Sequence, residues 1–212
     1  MVTERYLKTI SGLCVTLAVL AGCQTYYSTR PPESYIASYQ DFQPEINRFQ
    51  VCHDVDCENM TAVSLDEMGW QQLGKSFSVN ANSAVQEREQ IKSAIALFEE
   101  ITGPMAKTDN DQARNTSGRW GDRQLDCIAE TVNTTTYLLL LRQNGWLKWH
   151  DVGLPRHRGL FSLMAPHNTA VIREKQTGRE FVVDSWFHKN GSAPEIVPLE
   201  QWLSGYDPDN KL

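Results

Sequence analysis

The sequence lacks an excess of basic residues, a nucleotide-binding loop and any internal repeat. Lysine and arginine together number 20 against 26 aspartates and glutamates, which gives a formal net charge of −6 at pH 7. This acidic balance argues against nucleic acid as a partner. The chain has no dinucleotide or phosphate-loop motif, so it implies no organic cofactor. Because it also lacks low-complexity blocks and is long enough for a sizeable core, it is expected to form a single domain.

The N-terminal apolar run, residues 10–21, is shorter than the about 20 residues that a bilayer-spanning helix needs. It follows a short basic stretch with Arg5 and Lys8, and it has the length of a signal-peptide core. It ends in Leu-Ala-Gly-Cys at 20–23, which resembles the lipobox of bacterial lipoproteins. The resemblance implies cleavage before Cys23 and acylation of that residue, with each buried methylene of the acyl chains adding about 0.8 kcal/mol to membrane binding.

The sequence therefore predicts three parts. These are a signal peptide over residues 1–22, a lipidated Cys23 with a flexible tether to residue 45, and a folded domain over 46–212. The tether is predicted from its polar composition and its prolines. In lipoproteins, an aspartate after the anchor cysteine favours the inner membrane. Because Gln24 stands there, we expect the periplasmic side of the outer membrane, with inner-membrane anchoring as the alternative.

Cysteine usage leaves one thiol without an assignment. Of the five cysteines, the first two belong to the predicted signal and anchor. Cys52 and Cys57 lie close together, and in an oxidising compartment such a pair is most simply a disulfide. The alternative is a metal site that uses Cys52, His53 and Cys57, but no second ligand pair with zinc-like spacing follows, so we predict no metal. Cys127 then remains as a free thiol in an exported protein, which calls for a functional explanation.

Hydrophobic periodicity predicts two long helices. The first covers residues 83–102, begins with a Ser83–Gln86 capping box and ends at the Gly103-Pro104 pair. The second covers residues 127–144 and is so apolar in its last turns that it must be buried there. Further predictions are a short helix at 61–73, a surface loop at 105–121, a strand at 146–152, a basic loop at 155–159 and a short helix at 199–203.

Two later segments, 167–172 and 180–184, read as strands joined by a hairpin turn at 174–178. If the turn is centred between residues 175 and 176, His167 faces Asp184 directly, with Cβ atoms roughly 5 Å apart. A glycine bulge would shift this pairing by one residue.

Cys127, His167 and Asp184 could together form a thiol-dependent catalytic triad. The thiolate is the reactive form of cysteine, and a helix N-terminus and a nearby imidazolium both favour it. A carboxylate that holds the imidazole keeps the correct nitrogen facing the sulfur. Backbone amides near Cys127 would stabilise the oxyanion, with Gln124 as a candidate side-chain donor. Asp126 is a negative neighbour that opposes thiolate formation unless it caps the helix.

Cysteine, histidine and aspartate in this order resemble the transglutaminase-like superfamily, and more closely its bacterial cysteine peptidase branch. The resemblance covers roughly residues 83–186 and rests on the segments 125–127, 166–168 and 183–186. It implies an α+β fold with a papain-like core, in which a central helix carries the cysteine and packs on an antiparallel sheet that carries the histidine and aspartate. By the same resemblance, Cys127 is the nucleophile, His167 the base and Asp184 the residue that orients it. The branch often has glycine two residues before the cysteine, where this chain has Leu125.

The predicted function is thiol-dependent hydrolysis of peptide or isopeptide bonds, or acyl transfer, on a protein or peptide substrate in the cell envelope. Hydrolysis is favoured because water is abundant and no acyl-acceptor site is recognisable. A second enzymatic hypothesis is a cell-wall peptide hydrolase built on Asp-Cys-Ser-Gly, which Asp126 and Cys127 fit but Ile128 and Ala129 do not. The alternative from another class is a non-catalytic transglutaminase-like lipoprotein that binds or assembles envelope partners, which Leu125 and Asp126 favour.

Overall fold

The computed structural model describes residues 30–116, 121, 123–159 and 165–210. The predicted signal peptide, the lipidation site Cys23 and the first part of the predicted tether lie outside the described residues. Within the described ranges, no helix combines the length and apolar character needed to cross a bilayer.

The described chain is a mixed α+β structure with a two-stranded and a four-stranded antiparallel sheet. In chain order the helices are α1 (Glu33–Ile36), α2 (Glu67–Lys75), α3 (Ala84–Ala106), α4 (Cys127–Gln143) and α5 (Leu199–Leu203). The strands are β1 (Phe49–His53), β2 (Asn59–Val63), β3 (His150–Arg158), β4 (His167–Glu174), β5 (Glu180–Asp184) and β6 (Glu195–Pro198). A short 3₁₀ turn at Val55–Cys57 joins the first two strands.

The central helix α4 begins at Cys127, as predicted, and ends at Gln143. Its last turns are buried on every side, since the four leucines at 138–141 are at most 1% exposed. α4 contacts α3, β1 and the 3₁₀ turn, and it also contacts β3, β4 and β5. These contacts confirm an α+β class in which a cysteine-bearing helix packs on antiparallel strands.

Helix α3 begins as predicted, because the Ser83 hydroxyl accepts a hydrogen bond from Gln86 N at 3.3 Å. Its predicted end is wrong, since the helix continues through Pro104 to Ala106. A proline ring usually clashes with the Cβ of the preceding residue in a helix. Here that residue is Gly103, which has no Cβ, so the helix tolerates the ring for one more turn. The predicted helix at 61–73 is also displaced, because residues 61–63 belong to β2 and α2 begins after the cap residue Asp66.

The four-stranded sheet has the order β3-β4-β5-β6, so each strand pairs with the next in sequence. β3 is longer and later than predicted, and residues 155–158 of the predicted basic loop at 155–159 belong to it. The pairing with β4 shifts between Gly153 and Arg156. Pro155 lies in this irregularity, where it does not have to donate a ladder hydrogen bond.

The β4–β5 hairpin forms with a different register from the predicted one. Ala170 pairs with Val183, whereas a turn centred between residues 175 and 176 would pair Ala170 with Phe181. The turn lies later in the chain because Gly178 adopts a positive φ of 71° and donates its N–H to Glu174 O at 2.8 Å. A displacement by an even number of residues keeps every side chain on its face of the sheet. His167 and Asp184 are therefore diagonal neighbours rather than direct partners.

Part of the predicted flexible tether is folded onto the domain. Ile36 of α1 is 0% exposed. Gln40 donates to Gln50 O at 3.1 Å and to the Thr136 hydroxyl of α4 at 3.0 Å. The prediction of a flexible segment is therefore wrong from α1 onward. The apolar side chains of this segment fill a space beside α4, which outweighs the disorder favoured by its prolines.

Candidate active site

Cys127 is the first residue of α4, and its side chain is partly exposed. Asp126 caps the helix, since its Oδ1 accepts from Ile128 N at 3.1 Å and Ala129 N at 2.9 Å. The other oxygen of Asp126 accepts from Asp56 N at 2.8 Å. The carboxylate is thus committed to backbone donors, and the sulfur lies at a helix N-terminus, where the helix dipole favours an anion.

A disulfide joins Cys52 and Cys57, as predicted. Both sulfurs are therefore used, and the alternative metal site does not form. Within the described ranges, no group of three metal-binding side chains is found. The disulfide loop is held against the first half of α4, because Asn133 bonds both backbone groups of Cys52, at 2.7 and 2.9 Å. Just before the helix, Leu125 forms a β-bridge with Asp54.

His167 and Asp184 meet through their side chains. The Asp184 Oδ2 atom lies 2.8 Å from His167 Nε2, and both residues are buried. A carboxylate is an acceptor, so Nε2 is the nitrogen that donates and Nδ1 is the one left for chemistry. The same Oδ2 atom accepts from Trp202 Nε1 at 2.8 Å. Two donors thus fix the carboxylate, and the carboxylate fixes the plane of the imidazole.

Aromatic rings surround the imidazole of His167. Its centroid lies 4.5 Å from that of Trp186 and 5.5 Å from those of Phe187 and Trp202. Trp186 therefore forms one wall of the site. Trp202 was not predicted as a site residue. The only sequence signal was its place in the short helix predicted at 199–203, which does not connect it to Asp184.

Cys127 also interacts with the imidazole of His167. Nδ1 of His167 is buried and has no hydrogen-bond partner among the described residues. The proximity of Cys127 nevertheless raises the pKa of the ring. Catalytic pairs are often loose in the free enzyme and tighten when substrate binds. The sulfur has a second polar neighbour, since Asn168 Nδ2 donates to Sγ at 3.8 Å.

The electrostatics favour a charged imidazole. Burial by itself lowers the pKa of His167, but Asp184 and Cys127 outweigh it and raise this pKa to about 9. The imidazolium is therefore the form present at neutral pH. A positive ring beside the sulfur stabilises a thiolate there.

Gln124 is the predicted oxyanion donor, and its side chain is largely engaged elsewhere. Its oxygen accepts from Gln112 N at 2.9 Å, and its nitrogen donates to Asn110 O at 3.2 Å. These bonds hold the loop before α4. Because an amide nitrogen has two N–H groups, a role for Gln124 in binding an oxyanion stays a prediction.

Comparison with protein families, characterised proteins and solved structures finds no match to this chain. The family resemblance therefore rests on the residues and their geometry alone.

The arrangement suits one type of chemistry. It combines a partly exposed sulfur at a helix start, a charged imidazole with one ring nitrogen uncommitted, and a carboxylate that orients the ring. These are the parts needed for nucleophilic attack followed by proton donation to a leaving group.

Proposed function

We propose that the protein is a thiol-dependent amide hydrolase of the transglutaminase-like, papain-like type, with Cys127, His167 and Asp184 as its catalytic triad. We further propose that it acts on protein or peptide substrates in the cell envelope, anchored through a lipidated Cys23 on the periplasmic side of the outer membrane. The single observation that carries the enzymatic proposal is the fixed imidazole. Asp184 holds Nε2 at 2.8 Å, and Nδ1 has no hydrogen-bond partner among the described residues.

The mechanism follows from these positions. The Cys127 thiolate attacks the carbonyl carbon of the amide. His167 then donates the proton on Nδ1 to the departing amine, which leaves a thioester on the sulfur. In the second half, the neutral imidazole takes a proton from water, and the hydroxide formed attacks the thioester carbon. The carbon–sulfur bond then breaks, which releases the carboxylic acid and restores the Cys127 thiolate. Asp184 acts throughout by keeping the ring in one tautomer and one plane.

The proposal is supported by the contrast between His167 and the other two buried histidines of the described residues, His150 and His53. His150 Nδ1 lies 2.9 Å from Glu87, and Arg88 NH1 lies 3.2 Å from the other ring nitrogen, so both of its nitrogens are occupied. His53 is bonded on both sides as well, by Asp54 and by Thr61. His167 has one nitrogen held and one kept for the sulfur, which is the pattern a catalytic base needs.

The test is the pH dependence of Cys127 alkylation by iodoacetamide, followed by mass spectrometry of the peptide that contains it. In the wild type we expect rapid modification at pH 6. In His167→Ala, rapid modification should begin only above about pH 8, near the ordinary cysteine pKa. A thiol that stays inert until the protein is unfolded would contradict the proposal and would favour the non-catalytic binding module.

A further inference from the structure

The side-chain amide of Asn168, the residue that follows His167 on β4, lies against the Cys127 sulfur. Its Nδ2 atom donates to Sγ at 3.8 Å. An amide nitrogen carries two N–H groups, so this one contact leaves a second donor. Because Asn168 is partly exposed, a molecule that reaches the sulfur also meets this amide.

Asn168 also borders a space from which a substrate can approach the sulfur. The residue lines a cleft of about 610 Å³ whose other walls include parts of α1, β3 and α5. Ligand sites in proteins typically have volumes of about 300–1,000 Å³, so the cleft is large enough to hold a segment of peptide. Since the same residue lines the cleft and touches the sulfur, the cleft opens next to the nucleophile.

The amides of Gln124 and Asn168 are used in different ways. Gln124 bonds the loop before α4 through both its oxygen and its nitrogen, whereas the Asn168 nitrogen is directed at the sulfur. The contact with sulfur is long, but a hydrogen bond from an N–H group to an oxygen anion is short and roughly twice as strong as a neutral one. A donor whose bond strengthens during the attack stabilises the transition state more than the free enzyme, which is the condition for raising the rate.

We propose that the Asn168 amide donates a hydrogen bond to the carbonyl oxygen of the substrate when Cys127 attacks. The proposal rests on the proposed amide hydrolysis. An electron pair of Cys127 Sγ forms the bond to the carbonyl carbon, and the π pair of the carbonyl moves onto its oxygen. This oxygen is two bonds from Sγ, within reach of a donor that already touches the sulfur, and it accepts the hydrogen bond from Nδ2. The pair then returns, the carbon–nitrogen bond breaks, and the amine leaves with the proton from His167 Nδ1.

The role of Asn168 can be separated from that of the triad by using two reactions of the same sulfur. Acylation by p-nitrophenyl acetate passes through an oxyanion, and the release of p-nitrophenolate reports its rate. Alkylation by iodoacetamide is a displacement at a saturated carbon and forms no oxyanion. In the full-length Asn168→Ala protein we expect acylation to fall about 100-fold, while alkylation keeps its wild-type rate and pH dependence.

Two further variants control for changes in shape. Asn168→Leu fills a similar volume without a donor, so it should lose acylation to the same extent as Asn168→Ala. His157 is the cross-strand partner of Asn168 and lines the same cleft, so His157→Ala alters the cleft without removing the amide. We expect both reactions to keep their wild-type rates in His157→Ala. Unchanged alkylation in the Asn168 variants also reports that the site is folded.

Three outcomes would overturn the inference. The first is a loss of acylation below about tenfold in Asn168→Ala, since a single oxyanion donor contributes more than that. The second is an equal loss in both reactions, which would mean that the amide supports the thiolate or the fold instead. Both of these leave the proposed function standing. The third is a wild-type sulfur whose alkylation does not depend on His167, and this result alone would overturn the proposed function as well.

Discussion

Two buried sites lie against α4 about one helical turn apart, one at Cys127 and one at Glu130. Both contain carboxyl groups, but the charges around these groups differ. Near Cys127, the Asp184 carboxylate meets a histidine that can carry positive charge. Near Glu130, three buried carboxyls meet one another: Glu99, Asp111 and Glu130. In the described part of the chain, no lysine, arginine or histidine forms an ion pair with these three residues.

The surroundings of the carboxyl cluster favour the protonated form of each of its three members. Burial raises the pKa of Glu99 to about 8, and the charges of Asp111 and Glu100 add to this despite a hydrogen bond from Gly191 N. Burial likewise raises the pKa of Asp111 to about 7. The pKa of Glu130 lies well above its usual value because of burial and the charges of Glu99 and Asp111.

The comparison shows that the role of a buried carboxyl group depends on whether a cation lies beside it. With a histidine beside it, the carboxyl orients a base and stabilises its positive form. Without a cation, the carboxyls share protons and become a source of pH-dependent stability. The same substitution, carboxylate to amide, should therefore have different consequences at the two sites.

The largest effect is expected for Asp184→Asn. An amide at this position holds the wrong tautomer of His167, and the equivalent change in a serine-protease triad lowers kcat about 10⁴-fold. We expect the turnover of an amide or activated ester near neutral pH to fall on the order of 10³-fold or more. The matched variant is Glu99→Gln, which makes the same chemical change in the cluster and should leave turnover within about threefold of the wild type, because no step of the reaction uses Glu99. Equal losses of turnover in Asp184→Asn and Glu99→Gln would contradict the proposed difference between the two sites.

The second effect concerns stability against pH. The pKa of Glu99 is raised in the folded state from 4.5 to about 8, so the folded protein binds more protons than the unfolded chain between these values. Its contribution is complete below pH 4.5 and is lost as the pH rises through 8. We expect the free energy of unfolding to decline by a few kcal/mol over this range, and Glu99→Gln to reduce that decline, as measured by urea denaturation in steps of pH.

His167 also makes the protein less stable as the pH rises, but over a higher pH range than Glu99. Its pKa is raised from 6.5 to about 9, so its contribution is complete below pH 6.5 and is lost as the pH rises through 9. His167→Ala should therefore flatten the stability profile only above about pH 6.5, whereas Glu99→Gln should flatten it already below that value. Profiles that change over the same range in both variants would show that the two sites titrate as one.

Of the two sites, only the one at Cys127 could be predicted from the sequence. The residues of the proposed triad were accessible to sequence reasoning because their types are chemically distinctive and they lie on elements with strong periodicity, such as the apolar α4. Glu99 and Glu130 were not singled out, since a glutamate on a helix normally lies in solvent and nothing local reveals that another carboxyl faces it. The carboxyl cluster forms through contacts between segments that are distant in the sequence, which local patterns do not reveal.

The same limit explains the errors near the site. α1 was predicted as tether because prolines and polar residues dominate its segment, while its burial depends on the shape of α4. The hairpin register depended on where one glycine, Gly178, adopts a positive φ, and periodicity alone does not determine that position. The contact of Trp202 with Asp184 spans two elements, and no local pattern encodes it.

The smallest effect is expected for Trp202→Phe, which tests how much of the orientation of Asp184 comes from its second donor. The variant keeps a ring in the buried site but removes the N–H that lies 2.8 Å from Asp184 Oδ2. A hydrogen bond to a charged group contributes roughly 1.5–3 kcal/mol to stability, of which only the part that orients His167 affects the reaction. We therefore expect kcat to fall about tenfold with KM unchanged, since Trp202 acts through Asp184 and His167 rather than on substrate.

Trp149→Phe is the control. The Trp149 indole donates to Ala81 O, so its loss should leave kcat unaltered. A rise in KM with constant kcat in Trp202→Phe would instead place the indole in substrate binding, and Asp184 would then be oriented by the histidine alone.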